Sequence, residues 1–305
     1  MGKISRRGVL KGLGVLGLGA ASVPKVGGFI IDLPDFSFLS SSLERKINSY
    51  EAQYREKHNI EDKERSAWLV YSLNDEKFLA NIRGDRTYQS ASMIKPFVGL
   101  AYLSRCFDTQ DSLTWGDNGR RNLEIAIQRS GNSQTNWLID RLGGVQGVRD
   151  SLNEYYPQIS REITSLERVP QGGRTYDNLA TLRAYSRLCW QLARRDDKPE
   201  IRELKRIMGL PKRSRIVTRA REVSDVPSGT LNFPQNVRVF SKTGSTARCC
   251  GDFGLIQLPN DINYIIAGVI DRPTRTQNYG RWINNRGNLI GGVSRIVYDH
   301  IVKNS

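Results

Sequence analysis

The chain has 305 residues, enough for one large domain or two closely joined ones. Its 38% hydrophobic content and mean hydropathy of −0.48 exclude a disordered chain and a membrane-spanning one. The net charge of +15 would suit a nucleic acid or an anionic surface, but the basic residues are scattered and form no RNA- or DNA-binding signature, so no nucleic-acid partner is expected.

The first stretch, residues 1–24, reads as an export signal. "SRRGVLK" (5–11) precedes the glycine- and leucine-rich "GLGVLGLGAASVP", too short and too weakly apolar for a stable membrane span. Paired Arg6 and Arg7, flanked by Ser5, Leu10 and Lys11, resemble a twin-arginine signal, the bacterial route for proteins exported already folded. Cleavage near Ser22 removes Lys3, Arg6, Arg7 and Lys11 and leaves the mature chain strongly basic. The expected place is therefore the periplasm or cell envelope, with a membrane-tethered form if the signal is not cleaved.

Residues 41–59 have helical composition behind a serine-rich cap. "SAWLVYSL" (66–73) and "KFLANIRG" (77–84) read as two strands of a hairpin turning at Asn74–Asp75. From Met93 to about Pro211 the pattern is almost entirely helical, as in "FVGLAYLSRCF", "RNLEIAIQRS", "TNWLIDRLGGVQGVRDSL" and "LATLRAYSRLCWQLARR". Strands return in "VRVFSKTG", "DFGLIQLP" and "NYIIAGVID", before a last helix near "GVSRIVYDHIV". The predicted fold is α/β (α+β). One antiparallel sheet is built from residues 41–92 and 214–305 and flanked by terminal helices, with an all-helical domain over 93–213 beside it. A cleft between two such lobes is a usual place for a site.

Cys106, Cys189, Cys249 and Cys250 form no metal-ligand spacing, so no metal is expected, nor any other cofactor. Four cysteines allow three pairings; an adjacent Cys249–Cys250 bridge would be strained, and buried free thiols are the expected state. His58 and His300, the two histidines, read as surface residues, which leaves no histidine-based triad.

"SASMIKPF" (90–97) places Lys95 three residues after Ser92. On a helix those positions share a face, and the positive end of the helix dipole favours an alkoxide-like oxygen at Ser92. Pro96 is tolerated only near a first turn, which puts Ser92 at the start of the helix. Lys95 can serve as a base only when neutral, so its reference pKa of about 10.4 must fall through burial or a second cation nearby.

Two more groups fit that chemistry. Ser130 and Asn132 flank Gly131 at the start of an amphipathic helix. The hydroxyl can pass a proton to a leaving nitrogen, and the amide can hold a peptide-like carbonyl. Lys242, Thr243, Gly244 and Ser245 fall on a predicted strand. There Lys242 supplies a second cation, Thr243 and Ser245 a carboxylate site, and Gly244 room for a ligand along the strand edge. Main-chain N–H groups of Ser92 and Ser245 would form an oxyanion hole, worth about 2.7–4 kcal/mol per donor.

Together, in this order, "SASMIK", "SGN" and "KTGS" resemble the motifs of the penicillin-recognising serine enzymes, the class A β-lactamases and their D-alanyl-D-alanine peptidase relatives. The resemblance runs from about Ser66 to Val302 and includes "NWLIDRLGG" after the second motif. It implies a β-lactamase/transpeptidase-like fold with Ser92 as the acylated nucleophile, Lys95 as base and Ser130 as proton shuttle. Asn132, Lys242, Thr243, Gly244 and Ser245 then bind substrate, and a monomer is expected.

The chain departs from the pattern twice. Gly131 replaces the usual aspartate, which bears on local rigidity. Pro170 falls where class A enzymes carry the glutamate that activates the deacylating water, and the surrounding loop is short. Without that base an acylated Ser92 should hydrolyse about 10²–10⁴-fold more slowly. Exported cyanobacterial-type penicillin-binding proteins share this departure. The resemblance therefore implies a D,D-peptidase acting on peptidoglycan stem peptides, with slow turnover of β-lactams. The alternative is a class A β-lactamase in which Glu167 or Glu162 supplies the base.

Overall fold

The computed structural model describes residues 41–170 and 176–304. The predicted export signal, residues 1–24, lies outside the described residues, as do 171–175 of the short loop. The described residues fall in one compact unit.

Ser41 caps α1 (Ser42–Lys57). Its Oγ accepts the Glu44 N–H at 3.0 Å while Glu44 Oε2 accepts the Ser41 N–H at 3.1 Å, so two free donors of the helix start are satisfied reciprocally. The predicted hairpin forms as β1 (Arg65–Ser72) and β2 (Lys77–Ile82), with Ser72 Oγ taking the Asp75 N–H in the turn at 3.1 Å. The two-residue β3 (Tyr88–Gln89) leads through a 3₁₀ turn, Ala91–Ile94, into α2 (Lys95–Phe107).

The middle third carries α3 (Asp117–Gln128), α4 (Asn132–Arg141), α5 (Gly144–Tyr155) and the one-turn α6 (Pro157–Ser160). The helical run "TNWLIDRLGGVQGVRDSL" is broken because Gly143 takes φ +85, a left-handed conformation that ends α4. Two short strands interrupt the helices, β4 (Ile163–Ser165) and β5 (Leu179–Ala180), which pair with each other, β5 also pairing with β3. Then come α7 (Leu182–Arg194), α8 (Pro199–Met208), a π-helical turn at Arg215–Arg219 and the brief α9 (Ala220–Glu222).

Three long strands, β6 (Arg238–Thr246), β7 (Cys249–Gln257) and β8 (Asn263–Asp271), join the hairpin in one antiparallel sheet ordered β2-β1-β8-β7-β6. This is the expected α+β layout. The final helix, α10 (Tyr279–Lys303), starts well before the apolar stretch that signals it in the sequence. Its polar first half is anchored by Glu64, which accepts from Arg286 Nε and Nη2 at 2.7 and 2.8 Å and from Trp282 Nε1 at 3.2 Å. That anchor lies 222 residues away in sequence, beyond the reach of any local pattern.

The sheet is covered on both faces. On one, Leu43, Ile47, Tyr50 and Tyr54 of α1 pack with Leu289, Ile290, Val293 and Val297 of α10 in a cluster with Trp68, Val70 and Ile266 of the strands. On the other, Phe253 of β7 stacks against Tyr185 of α7 at 4.6 Å and lies 6.4 Å from Phe97 of α2. Full burial of such a ring is worth about 1.5–3 kcal/mol. This stack fixes α2, and with it Lys95, against the strand neighbouring β6.

All four cysteines are free thiols, buried except for half-buried Cys106. The histidines are half-buried rather than on the surface. His58 Nε2 bonds Asp225 Oδ2 at 2.9 Å and His300 contacts Asn304, neither a predicted site residue.

Candidate active site

The chain reaches Ser92 through a strained step. Ala91 has φ +45, and Ser90 on its other side is pinned by its N–H to Asn178 O at 2.7 Å and by its carbonyl to the Met93 N–H at 2.8 Å. Ser92 thus lies in a 3₁₀ turn rather than on the α-helix the i, i+3 spacing suggests, and the helix proper begins at Lys95. Pro96 occupies its first turn, where a missing N–H costs little.

Lys95 is 1% exposed. Its amine points into the Ser130–Asn132 turn, donating to Ser130 O at 2.5 Å and Asn132 Oδ1 at 2.7 Å, with Ser130 Oγ at 3.4 Å. The expected direct bond to Ser92 is not made; among the described residues Ser92 Oγ has no hydrogen-bond partner, and the hydroxyl is only half-buried. Burial pushes Lys95 down from the ordinary lysine range to about 7. An amine there is close to half neutral near pH 7.

Ser130 is held at φ +60, a left-handed conformation that turns both its oxygens toward the lysine. The turn is fixed without the family's aspartate, because Gly131 N–H donates to Ile125 O at 3.1 Å and Thr135 Oγ donates to Gly131 O at 2.7 Å.

β6 is the free edge of the sheet, and its predicted residues meet the same turn. Lys242, 2% exposed, donates to Ser130 Oγ at 3.0 Å and to Thr243 O at 3.0 Å. Burial, and then the charge of Lys95, holds Lys242 well below the usual lysine range. Ser92 is brought to this group by the chain rather than by a side-chain bond: a Cβ on Gly244 would lie 2.8 Å from Ser90 O and 3.2 Å from Ala91 Cβ. The empty side of Gly244 is therefore filled by the Ser92 turn, not by open space along the edge.

Thr243 and Ser245 are half-buried on the opposite face of β6. There Ser245 Oγ accepts from Arg215 Nη2 at 2.6 Å, and Arg215 Nη1 donates to Gly251 O at 2.9 Å. Arg215 was not among the sequence candidates. It sits in the polar run "KRSR", which reads as a solvated face, and its partner is 30 residues further on.

The short loop is held from two sides. Asn136 Nδ2 donates to Val169 O at 2.7 Å and its Oδ1 accepts the Val169 N–H at 2.8 Å. Asn178 Oδ1 accepts the Glu167 N–H at 2.9 Å, and Arg168 Nη2 reaches Asp140 at 3.1 Å. Pro170 follows the clamp, exposed. Of the two alternative carboxylates, Glu162 accepts from Thr181 Oγ at 2.6 Å and pairs with Arg187 at 3.4 Å. The half-buried Glu167 carboxyl is pushed up, mainly by burial.

The comparisons with known proteins agree with this fold. A model of the β-lactamase enzyme family matches residues 120–301. No curated protein gives a match. Among solved structures, PBP-A is 20% identical over 84% of this chain and 96% of its own, with a TM-score of 0.62. A mutant of PBP-A, solved as an acyl-enzyme complex with penicillin G, is also 20% identical over 84% of this chain and 97% of its own, with a TM-score of 0.60. A representative class A β-lactamase from Bacteroides cellulosilyticus is 20% identical over 85% of this chain and 99% of its own, with a TM-score of 0.64.

Proposed function

The chain belongs to the β-lactamase enzyme family, a serine hydrolase by that membership, and on this premise we propose that it is an exported D-alanyl-D-alanine peptidase acting on cell-wall peptide and turning β-lactams over slowly. The observation that carries the choice is the short loop. Pro170 stands where a water-activating glutamate is expected, and of the two alternative carboxylates Glu162 is engaged with Thr181 and Arg187. The loop therefore lacks the glutamate at the position where class A enzymes activate the deacylating water.

In this reading Ser92 Oγ attacks the carbonyl carbon of the acyl donor, and its proton passes to neutral Lys95. The proton then travels through Ser130 Oγ, which both lysines contact, to the leaving nitrogen as the C–N bond breaks. The product is an ester on Ser92 and a free amine. Asn132 orients the donor's amide. Thr243, Ser245 and Arg215 take its carboxylate, and the N–H groups of Ser92 and Ser245 hold the developing oxyanion. Water later cleaves the ester. The solved acyl-enzyme of PBP-A with penicillin G supports penicillin as a donor here too.

Intact-mass analysis with penicillin G over an hour tests this. One acyl adduct per chain is expected, long-lived and absent in Ser92→Ala and Lys95→Ala. Rapid steady-state hydrolysis of a chromogenic cephalosporin, abolished in Ser92→Ala, would overturn it in favour of a β-lactamase. The export part is tested separately: Arg6→Lys with Arg7→Lys should trap the protein in the cytoplasm.

A further inference from the structure

Asp252 is an acidic residue in the otherwise apolar and glycine-rich stretch "CCGDFGLI" of β7, with no exposed surface. Its partner across the ladder is Thr243 of β6. Oδ2 accepts the Arg215 N–H at 2.6 Å and the Ile216 N–H at 3.2 Å, while Oδ1 has no partner. Ser214 Oγ accepts the next two donors, Val217 N–H at 3.2 Å and Thr218 N–H at 3.3 Å. The first four N–H groups of the 215–219 turn are thus all satisfied, two of them from inside the sheet.

What distinguishes this turn is its first residue. The backbone of Arg215 is tied to Asp252 and its guanidinium to Ser245 Oγ and Gly251 O, so the side chain is fixed at both ends. The Arg215 charge also acts on Asp252, drawing its carboxyl down against the upward push of burial.

We propose that Asp252 is a positioning residue: by holding the Arg215 backbone it sets the guanidinium against Ser245, and so determines how strongly the site prefers an acyl donor with a free carboxylate. This rests on the reading that Arg215, Thr243 and Ser245 receive that carboxylate.

The test compares penicillin G with its methyl ester, which lacks the charge, by the second-order rate of Ser92 acylation read by intact mass. Asp252→Ala should slow acylation by penicillin G about ten- to a hundredfold and acylation by the ester no more than about twofold. Arg215→Ala should give the same loss of preference, and Asp252→Ala added to it should change nothing further. Asp252→Asn, whose amide oxygen can still accept both N–H groups, should keep the preference. An equal slowing of both donors in Asp252→Ala would mark a merely structural role and overturn the proposal, as would no slowing at all. Should Asp252→Ala not fold, Asp252→Asn decides alone: retention supports the proposal, and loss of the preference overturns it. If the unaltered protein is acylated by neither compound, the proposed function fails and takes this inference with it.

Discussion

Lys95 and Lys242 bring their amines to one oxygen, Ser130 Oγ, at 3.4 and 3.0 Å. Both are nearly inaccessible to water, and two ammonium groups so close in a buried space repel strongly. Burial and this repulsion both favour the neutral form of an amine here, and a neutral amine beside the Ser130 hydroxyl is what a proton relay needs.

The first prediction concerns pH. Lys95, held at about 7, is active as the neutral amine, so lowering the pH protonates it and slows acylation. The rate should fall about tenfold for each pH unit below that value and level off above about pH 8. Stopped-flow acylation by a fluorescent penicillin measures the profile. A limb near pH 10, as for an ordinary exposed lysine, would refute the assignment. Lys95→Arg, which cannot become neutral, should be inactive at every pH.

Ser130 carries two demands, a hydroxyl for the lysines and φ +60 for the backbone. Substitutions separate them. Ser130→Gly relieves the backbone and removes the hydroxyl, so it should fold at least as stably as the parent yet acylate about 10²–10⁴-fold more slowly. Ser130→Thr keeps a hydroxyl on a β-branched side chain in a left-handed conformation and should lose about 1–2 kcal/mol of stability. Thermal unfolding beside acylation rates checks both. Full activity in Ser130→Gly would remove the hydroxyl from the proton path.

Which parts of this molecule were legible in its sequence follows from the range of the interactions involved. The hairpin at 65–82, the three late strands and the serine cap of α1 are written in periodicity and turn residues within a few positions. Lys95, Ser130, Asn132 and Lys242 stand in fixed short motifs that single them out, and the fold does bring these four side chains together. The contacts of Arg215 and Asp252 are not visible there, since each depends on a partner 30 or more residues away. A signal existed for Asp252: a charge in an apolar strand needs an explanation. The 3₁₀ conformation of the Ser92 turn was hidden for another reason. It comes from the tertiary pin between Ser90 and Asn178, which no local preference encodes.

Gly244 tests how closely the sheet edge and the Ser92 turn are fitted. An added Cβ would lie 2.8 Å from Ser90 O and 2.9 Å from Met93 Cγ, and Ser90 cannot retreat because both its backbone groups are bonded. Gly244→Ala should therefore destabilise by about 1–3 kcal/mol and also slow acylation, as the turn carrying Ser92 shifts. Gly116→Ala is the control. A Cβ there meets nothing within 4 Å, so only the preference of a helix N-cap for Gly over Ala is lost, about 0.5–1 kcal/mol, and acylation should not change. Equal effects at the two positions would mean that the seam between β6 and the Ser92 turn tolerates an extra methyl group.

Asn136 holds the short loop by donating to Val169 O and accepting from Val169 N–H, which fixes the chain one residue before Pro170. Asn136→Ala leaves both backbone groups without their partner and should cost about 1–3 kcal/mol in chemical denaturation. Asn136→Asp is isosteric but supplies only acceptors when ionised, so one oxygen faces the Val169 carbonyl. Near neutral pH it should be no more stable than Asn136→Ala. In the folded state that carboxyl would be held above its unfolded pKa of about 4, because only the protonated form can donate. Its stability relative to the parent should accordingly be highest at low pH and decline as the carboxyl ionises. Ser92 labelling by penicillin should persist in folded Asn136→Ala, while the lifetime of the adduct reports whether the clamp also keeps water from the ester. An Asn136→Asp variant as stable as the parent at neutral pH would show that the donated bond to Val169 O contributes nothing.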